Sequence, residues 1–448
     1  MPKTQTSRGL RGPRHVTPPQ VTPPSAAPRR PSVPRVAWLL GPALVAGVAY
    51  LDPGNVASNM TAGARFGYLL VWVVVLGNVM AWLIQYLSAK LGIVTGQSLP
   101  EALGRRIRNP WGRRAYWVQA ELVAMATDIA EVIGGAVALN LLFGIPLVWG
   151  GVITGTISLA LLVIQSRRGA RTFEFVVIGL IAIIAVGFTF GVFVGPPDAG
   201  AVVGGLVPRF DGTDSVLLAA SILGATIMPH AIYAHSALAR DRFRPDGAHI
   251  DHRTDAALAV ARGIPTDRLL RATRWDVSIA MLIAGTVNLC ILLLAAANLA
   301  GVPGTDSLEG AYTALSAGIG PVVATLFAVG LLASGLASTS VGAYAGAEIM
   351  RGLLHVQIPL VARRLITLIP ALLILGIGID PTLALVLSQV VLSFGIPFAL
   401  IPLVALTARA DVLGGYRNRW GTTAAGIAAS VFLIALNGVL LWLVLSGS

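Results

Sequence analysis

Apolar stretches recur along this 448-residue chain from residue 36 to its end. Many are about 20 residues long, which is the length that an α-helix needs to cross the hydrocarbon core of a bilayer. The chain is 55% hydrophobic and only 12% charged, with a mean hydropathy of +0.78. We therefore expect an all-α membrane protein with eleven transmembrane helices. The predicted segments are residues 36–62, 68–92, 115–143, 147–166, 173–195, 215–240, 275–300, 320–350, 365–379, 381–407 and 421–446.

The positive charges indicate how these segments are oriented. With the N-terminus in the cytoplasm, 30 of the 32 Lys and Arg residues fall on the cytoplasmic side, and only Arg65 and Arg209 do not. Cytoplasmic loops of membrane proteins carry such an excess of Lys and Arg. The net charge of +12 is thus a topology signal rather than a sign of nucleic-acid binding. We expect a multi-pass protein of the inner cell membrane with its N-terminus inside and its C-terminus outside.

The chain divides into a tail and one membrane domain. Residues 1–35 contain nine of the 27 prolines, many basic residues and little apolar material, so they are predicted to be a disordered cytoplasmic tail. The transporter domain would then cover residues 36–448. Its longest connection is about 241–274, in which a short cytoplasmic helix around Thr266–Thr273 is predicted.

Two segments are interrupted by residues that lipid does not tolerate. The first contains Asp52-Pro53-Gly54-Asn55, and the sixth contains Gly224-Ala225-Thr226-Ile227-Met228-Pro229-His230. Pro and Gly free backbone carbonyls that lipid cannot satisfy, and an intramembrane acid is costly, so both breaks are expected to line a cavity. Corresponding breaks in two halves indicate an inverted-repeat transporter. The repeats would be about 36–195 and 215–407, five helices each, with 421–446 as an extra helix.

The residues at the breaks are suited to a metal ion. Asp52 offers an anionic oxygen, and Asn55, three residues later, offers a neutral carbonyl oxygen. Met228 offers a thioether sulfur, which favours later transition metals over Ca²⁺ and Mg²⁺. Half-helices that end at a break also direct free carbonyls and the negative end of the dipole at the site. The alternatives are that Met228 fills the core and that Asp52 caps the second half-helix, and the cap is compatible with metal binding.

The third segment carries three acids on one face. Glu121, Asp128 and Glu131 lie seven and three residues apart, which places them within a sector of about 80° on an α-helix. Such a stripe in an apolar span predicts a proton relay. The alternative is that the acids pair with buried cations, for which Arg363 and Arg364 are the candidates.

Other titratable residues are less specific. His230 lies two residues after Met228 and can titrate near neutral pH, so it is predicted to act in proton movement or gating, with a structural hydrogen bond or direct ligation as alternatives. His235 has no assigned role. Glu348, Asp276 and Glu174 lie near cytoplasmic helix ends and are predicted to form ion pairs at a gate or an interface.

Four motifs together resemble the Nramp family of proton-coupled divalent metal transporters. They are Asp-Pro-Gly-Asn in the first segment, the stretch from Gln119 to Glu131 in the third, Met-Pro-His in the sixth and Leu387-Ser388-Gln389-Val390 in the tenth. The resemblance covers about residues 36–446. It implies the leucine-transporter-type fold, with five-plus-five inverted repeats and broken helices 1 and 6.

The resemblance also implies roles for particular residues. Backbone carbonyls of Ala49 and Ala225 would complete the metal site, and Gln389 would approach the metal in one transport state, although a purely structural hydrogen bond is an open alternative for it. His230 would lie beside the site in the proton path. The helix 3 acids with Arg363 and Arg364 would form a salt-bridge network that carries protons separately from the metal. Met228 places the chain with the transition-metal branch, because the magnesium-transporting relatives lack this methionine.

The predicted function is proton-coupled import of Mn²⁺, Fe²⁺, Cd²⁺ and similar ions by alternating access. We expect a monomer with no resident cofactor and no enzymatic activity, because no Walker loop and no HExxH motif is present. The single cysteine, Cys290, excludes an intramolecular disulfide. The alternatives are a sodium-coupled amine or amino-acid symporter of the same fold, and a metal channel or sensor. Asp52 argues against the symporter because it would repel a carboxylate substrate.

Overall fold

The computed structural model describes residues 41–168, 170–243, 263–356 and 359–446. The predicted disordered tail, residues 1–35, lies outside the described residues, as does most of the long connection after residue 243. The described residues form helices and contain no β-strand.

The helices are numbered here in chain order, and two 3₁₀ turns, Val48–Leu51 and Gly414–Tyr416, accompany them. They are α1 (Pro42–Gly47), α2 (Pro53–Phe66), α3 (Val71–Thr95), α4 (Leu99–Arg106), α5 (Pro110–Phe143), α6 (Leu147–Arg168), α7 (Ala170–Val194), α8 (Ala199–Gly204), α9 (Gly212–Thr226), α10 (Pro229–Arg242), α11 (Thr266–Asn298), α12 (Leu308–Gly318), α13 (Pro321–Leu354), α14 (Leu360–Gly376), α15 (Pro381–Ala408), α16 (Ala410–Leu413) and α17 (Trp420–Ser446).

Each predicted segment overlaps a helix or a pair of helices. Within the described residues, seven helical stretches are long and apolar enough to cross a membrane by length and composition: α3, α5, α9 with α10, α11, α13, α15 and α17. Shorter apolar helical stretches cover Pro42–Leu51, Leu147–Leu161 and Ile178–Val194. The structure thus has the all-helical membrane architecture that the sequence predicts.

The predicted separate helix at Thr266–Thr273 is wrong. These residues form the first two turns of α11, which runs without interruption to Asn298. Pro265 is the N-cap, and no glycine or proline lies between Thr266 and Asp276. Nothing in the sequence therefore ends the helix where it enters the apolar span.

Both predicted breaks are present. The first helix continues from α1 through Val48–Leu51 and stops at Asp52, whose backbone is extended (φ −71°, ψ 165°), and α2 begins at Pro53. In the second break, α9 ends at Thr226 and α10 begins at Pro229. Proline suits the first position of a helix because its missing N–H is not needed there.

The breaks lie in the interior of the bundle. Helix α2 packs against α11, α9, α15 and α5, and α13 packs against α5. Asp52, Asn55, Ala225 and Met228 are fully buried. Close packing depends on Gly134 of α5, where a Cβ would lie 2.1 Å from the Cβ of Pro53. The helices therefore bring the third segment directly against the first break.

Candidate metal site and buried ion-pair network

Asp52 is held by the helix that it caps. Its Oδ1 accepts a hydrogen bond from the backbone N–H of Asn55 at 2.8 Å and another from Asn55 Nδ2 at 3.1 Å. The predicted N-cap is thus confirmed, and it places the carboxylate at the N-terminus of α2, which is the positive end of the helix dipole. The backbone N–H of Asp52 in turn donates to the Ala49 carbonyl at 3.3 Å.

The two breaks are joined by the Asn55 side chain. Its Nδ2 donates to the Ala225 carbonyl at 2.8 Å as well as to Asp52. From α15, Gln389 Nε2 donates to Asp52 Oδ2 at 3.2 Å. The amide of Gln389 crosses directly over Gly54, where a Cβ would lie 1.7 Å from Nε2. Four of the predicted ligands, together with Gly54, therefore converge on one point.

Two amide oxygens at this point have no donor. Among the residues that the structure describes, Asn55 Oδ1 and Gln389 Oε1 are buried without a hydrogen-bond partner. Buried oxygens in that condition are unfavourable unless water or a cation joins them. With Asp52 they supply one anionic and two neutral oxygen atoms, which is a donor set that a divalent cation can use.

Met228 lies in the second break, at the N-cap position of α10. It is fully buried, and its carbonyl accepts hydrogen bonds from the backbone N–H groups of Ala231 (3.1 Å) and Ile232 (3.3 Å). The sulfur-bearing residue thus belongs to the same break as Ala225.

The acids of α5 pair with both arginines of α14. Arg363 contacts Glu121 (Nη2–Oε1, 3.0 Å) and Asp128 (Nη1–Oδ2, 3.0 Å). Arg364 contacts Asp128 (Nη1–Oδ1, 2.9 Å) and Glu131 (Nη1–Oε2, 3.2 Å). The pairing predicted between the acid stripe and these arginines is confirmed. We call these five residues the ion-pair network.

Hydroxyl groups that the sequence reasoning missed complete the network. Arg364 is fully buried and also donates to Ser158 Oγ at 3.0 Å and to Thr339 Oγ1 at 3.2 Å. Glu131 Oε1 has no hydrogen-bond partner among the described residues. The only sign of these partners in the sequence is the presence of hydroxyl residues in apolar spans. That sign is weak, because many such hydroxyls hydrogen-bond only within their own helix.

The ion-pair network and the breaks are adjacent. Gly134, three residues after Glu131, presses against Pro53, which follows Asp52. His230 of α10 lies with its Nδ1 3.1 Å from the hydroxyl of Thr127, the neighbour of Asp128 in sequence. His230 therefore follows the second break directly and contacts the acid-bearing helix.

His235 lies in a separate polar chain. Its Nδ1 is 2.7 Å from Gln85 Oε1, and Gln85 Nε2 donates to the hydroxyl of Tyr50. Tyr50 is held at its carbonyl by Asn288 Nδ2 at 2.9 Å. This series of hydrogen bonds holds the end of the first half-helix in place. The only sign of it in the sequence was the presence of polar residues in apolar segments.

The predicted ion pairing is confirmed for Glu348, which contacts Arg240 at 3.2 Å and also contacts Arg351. The Asp276 carboxylate accepts from the backbone N–H groups of Gly41 (3.1 Å) and Ala43 (2.9 Å) at the start of α1, so this acid caps a helix. The Glu174 side chain lies outside the described part of the chain.

The family follows from the whole sequence. Residues 43–443 match the sequence model of the family described as Nramp, Natural resistance-associated macrophage protein-like. The chain belongs to the Nramp family.

Named relatives and solved structures agree with this assignment. The chain is 60% identical over 410 residues to the divalent metal cation transporter MntH of Mycobacterium tuberculosis, covering 92% of each chain. It is 46% identical over 428 residues to the MntH of Deinococcus radiodurans, covering 94% of this chain and 93% of that one. These relatives are named transporters, not enzymes.

The fold resembles those of two solved structures. The crystal structure of the Eremococcus coleocola manganese transporter, in complex with an aromatic bis-isothiourea substituted compound, matches with a TM-score of 0.77 and 33% identity, covering 90% of this chain and 87% of that one. MhsT in complex with L-phenylalanine matches with a TM-score of 0.53 and 13% identity, covering 90% and 99%. The second likeness concerns the fold alone.

Proposed function

We propose that this chain imports divalent transition metals, Mn²⁺ and Fe²⁺ first and Cd²⁺ and similar ions as well, coupled to protons and by alternating access. The observation that carries the proposal is the buried carboxylate of Asp52, which lies in the first break beside two amide oxygens that have no donor among the described residues. The names of the relatives, divalent metal cation transporter and manganese transporter, support the same substrate class.

The metal is the cargo, and its ligands are the groups at the two breaks: Asp52, Asn55, Met228, Gln389 and the carbonyls of Ala49 and Ala225. A metal ion that takes the Ala225 carbonyl must replace the hydrogen bond from Asn55 Nδ2. Metal binding thus replaces the hydrogen bond between Asn55 of α2 and the Ala225 carbonyl of α9 with an ion that both residues bind. That exchange couples occupancy of the site to the contact between α2 and α9, which alternating access requires.

Proton movement falls to Asp52, His230 and the ion-pair network. The network contains three carboxylates and two guanidinium groups, so it has one negative charge in excess in an interior that does not tolerate it. One bound proton removes the excess, and Glu131, whose Oε1 has no donor among the described residues, lies nearest to the Pro53 contact. A divalent ion arriving at Asp52 repels a proton held there, and Glu131 and Asp128 offer it the next acceptors.

The finer architecture belongs to this proposal: eleven transmembrane helices, two inverted repeats of five, an extra α17, a monomer, and termini inside and outside. The 30-to-2 distribution of Lys and Arg supports the orientation. In a Cys290→Ala background, an impermeant thiol reagent applied from outside should label Ser446→Cys and not Thr6→Cys. The opposite labelling would refute the orientation.

The test of the function is uptake by the purified protein in sealed liposomes. Saturable Mn²⁺ influx with acidification of the lumen and without a sodium requirement is the expected result, and Asp52→Asn liposomes give the background. An unsaturable, ohmic current would identify a channel, sodium-dependent uptake of an amino acid would identify the symporter alternative, and Mn²⁺ binding without flux would identify a sensor.

A further inference from the structure

Helix α15, which carries Gln389, has two prolines in its interior, Pro397 and Pro402. A proline has no N–H, so the carbonyl four residues earlier loses its helical donor. The carbonyls in question are those of Ser393 and Phe398. In a membrane such carbonyls need another partner, because lipid offers no donor.

Both carbonyls receive a donor from a different helix. Asn437 Nδ2 of α17 donates to the Ser393 carbonyl at 3.0 Å, and the hydroxyl of Tyr116 of α5 donates to the Phe398 carbonyl. A second hydrogen bond joins the same two residues, since the Ser393 hydroxyl donates to Asn437 Oδ1 at 2.8 Å. Each proline thus has its own replacement donor, and each donor comes from outside α15.

The hydroxyl of Tyr116 also connects α15 to the second break. Its single proton goes to Phe398, so the 3.0 Å contact with the Tyr233 hydroxyl must be donated by Tyr233. Tyr233 lies on α10, one turn after His230. The hydroxyl of Tyr116 therefore joins three helices: α5, α10 and α15.

The position of Ser393 makes its carbonyl relevant to the metal site. Ser393 follows Gln389 by one helical turn, and this turn rests on the backbone of α9 at Gly224. A Cβ on Gly224 would lie 1.9 Å from the Gln389 carbonyl and 2.9 Å from the Ser393 nitrogen. A shift of α15 at this turn would move Gln389 relative to Asp52, to which its amide donates at 3.2 Å.

We propose that Asn437 and Tyr116 are positioning residues of the transport site: they supply the donors that Pro397 and Pro402 lack, and so hold α15 in the position that brings Gln389 to Asp52. The proposal rests on the proposed function, since it concerns the metal affinity of the same site. It adds two residues, on α17 and α5, that do not touch the ion.

The pairing of each donor with one proline provides the test. Asn437→Leu leaves the Ser393 carbonyl without a donor, and Pro397→Ala returns an N–H to it, so the second change should rescue the first. Tyr116→Phe should be rescued by Pro402→Ala in the same way. The crossed combinations, Asn437→Leu with Pro402→Ala and Tyr116→Phe with Pro397→Ala, are matched controls that should not rescue.

The readouts are equilibrium Mn²⁺ affinity in detergent and the KM and maximal rate of uptake in liposomes. We expect Asn437→Leu to weaken Mn²⁺ binding by about 5–10-fold and Tyr116→Phe by about threefold, since each leaves a carbonyl of a membrane-spanning helix without a donor. Tyr233→Phe should weaken it less, because Tyr116 keeps its own proton. In a Gln389→Ala background, Asn437→Leu should add nothing, because the residue through which it acts is absent.

The outcomes separate this proposal from the proposed function. If wild type binds no Mn²⁺, the proposed function fails. If wild type binds Mn²⁺ but the matched pairs rescue no better than the crossed pairs, the positioning role is wrong. An undiminished effect of Asn437→Leu in the Gln389→Ala background would also overturn it. Tyr116→Phe removes a single oxygen atom, so it keeps the test decisive if Asn437→Leu does not fold.

Discussion

The break at Asp52 and the ion-pair network are both closed to solvent, yet they compensate buried charge in opposite ways. At the break one carboxylate is surrounded by neutral donors, and two amide oxygens are left without a partner among the described residues. In the network, the guanidinium nitrogens of Arg363 and Arg364 already lie about 3 Å from the carboxylate oxygens and form ion pairs with them. One region offers oxygen atoms that lack a partner, and in the other the carboxylates are already paired with arginines.

This difference decides what each region can exchange. A divalent ion can enter the break because it supplies the charge that is missing there. It cannot enter the network without displacing an arginine, and breaking a buried ion pair costs about 3–5 kcal/mol. A proton needs no such displacement, because the network has one carboxylate more than it has arginines. Under the proposed function, the network therefore gives protons acceptors that the metal does not reach, and it adjoins the first break where Gly134 packs against Pro53.

The largest expected effect follows from removing the charge at the break. Asp52→Asn keeps the shape of the side chain and an oxygen for the Asn55 N–H, but removes the only carboxylate of the predicted ligand set. Because a charge pair at 4 Å contributes about 4 kcal/mol at an effective dielectric constant of 20, Mn²⁺ affinity should fall by at least about 100-fold. Isothermal titration with Mn²⁺ measures it.

The unfolding temperature is the control for Asp52→Asn. It should stay the same or rise, since an isolated buried charge is removed. Retained Mn²⁺ affinity in a folded Asp52→Asn protein would place the metal elsewhere.

Removing a cation from the network should instead destabilise the protein. Arg364→Gln leaves Asp128 and Glu131 with Arg363 as the one remaining arginine of the network, so the free energy of unfolding should fall by about 3–5 kcal/mol. The matched control is Arg409→Gln, which breaks the exposed pair with Asp411 and should leave the free energy of unfolding almost unchanged. Denaturant unfolding in detergent measures both. Equal losses for the two variants would mean that the network is not a buried, paired cluster.

The smallest expected effect is a change in selectivity. Met228→Ala replaces a soft sulfur with space for water, which is a better partner for hard ions. Uptake of Mn²⁺ should fall modestly and that of Cd²⁺ more, while Ca²⁺ becomes about tenfold more effective as a competitor, a difference of about 1.4 kcal/mol. Competition of Ca²⁺ against Mn²⁺ uptake in liposomes is the measurement. An unchanged competition profile in a folded protein would reduce Met228 to a core residue.

Much of this arrangement could be predicted from the sequence, because intramembrane polar residues are rare enough to carry information. The breaks at Asp52 and Met228 follow from proline in an apolar span. The pairing of Asp128 with the arginines follows from three acids on one face, since an apolar span cannot hold them unpaired. These predictions concern residues for which the membrane leaves few alternatives.

The remainder depends on packing between segments far apart in sequence. The bond from Asn55 to the Ala225 carbonyl and the cap that Asp276 gives to α1 both use backbone atoms, which leave no trace in the residue pattern. The same holds for the donors that Tyr116 and Asn437 give to α15. Only the bundle geometry shows which side chain reaches each of these carbonyls.

The central claim, that protons move through the ion-pair network while the metal binds at the two breaks, is tested most directly by Asp128→Asn. This change leaves two carboxylates for two arginines, so the network keeps its pairing and loses the excess charge that a proton would neutralise. In one set of liposomes, Mn²⁺ uptake and lumen pH should be followed together, with Mn²⁺ affinity measured on the same preparation. The account predicts Mn²⁺ affinity within about threefold of wild type, a difference below about 1 kcal/mol, with proton influx lost or uncoupled from Mn²⁺. An Mn²⁺ affinity lowered as severely as by Asp52→Asn, in protein that folds normally, would contradict it.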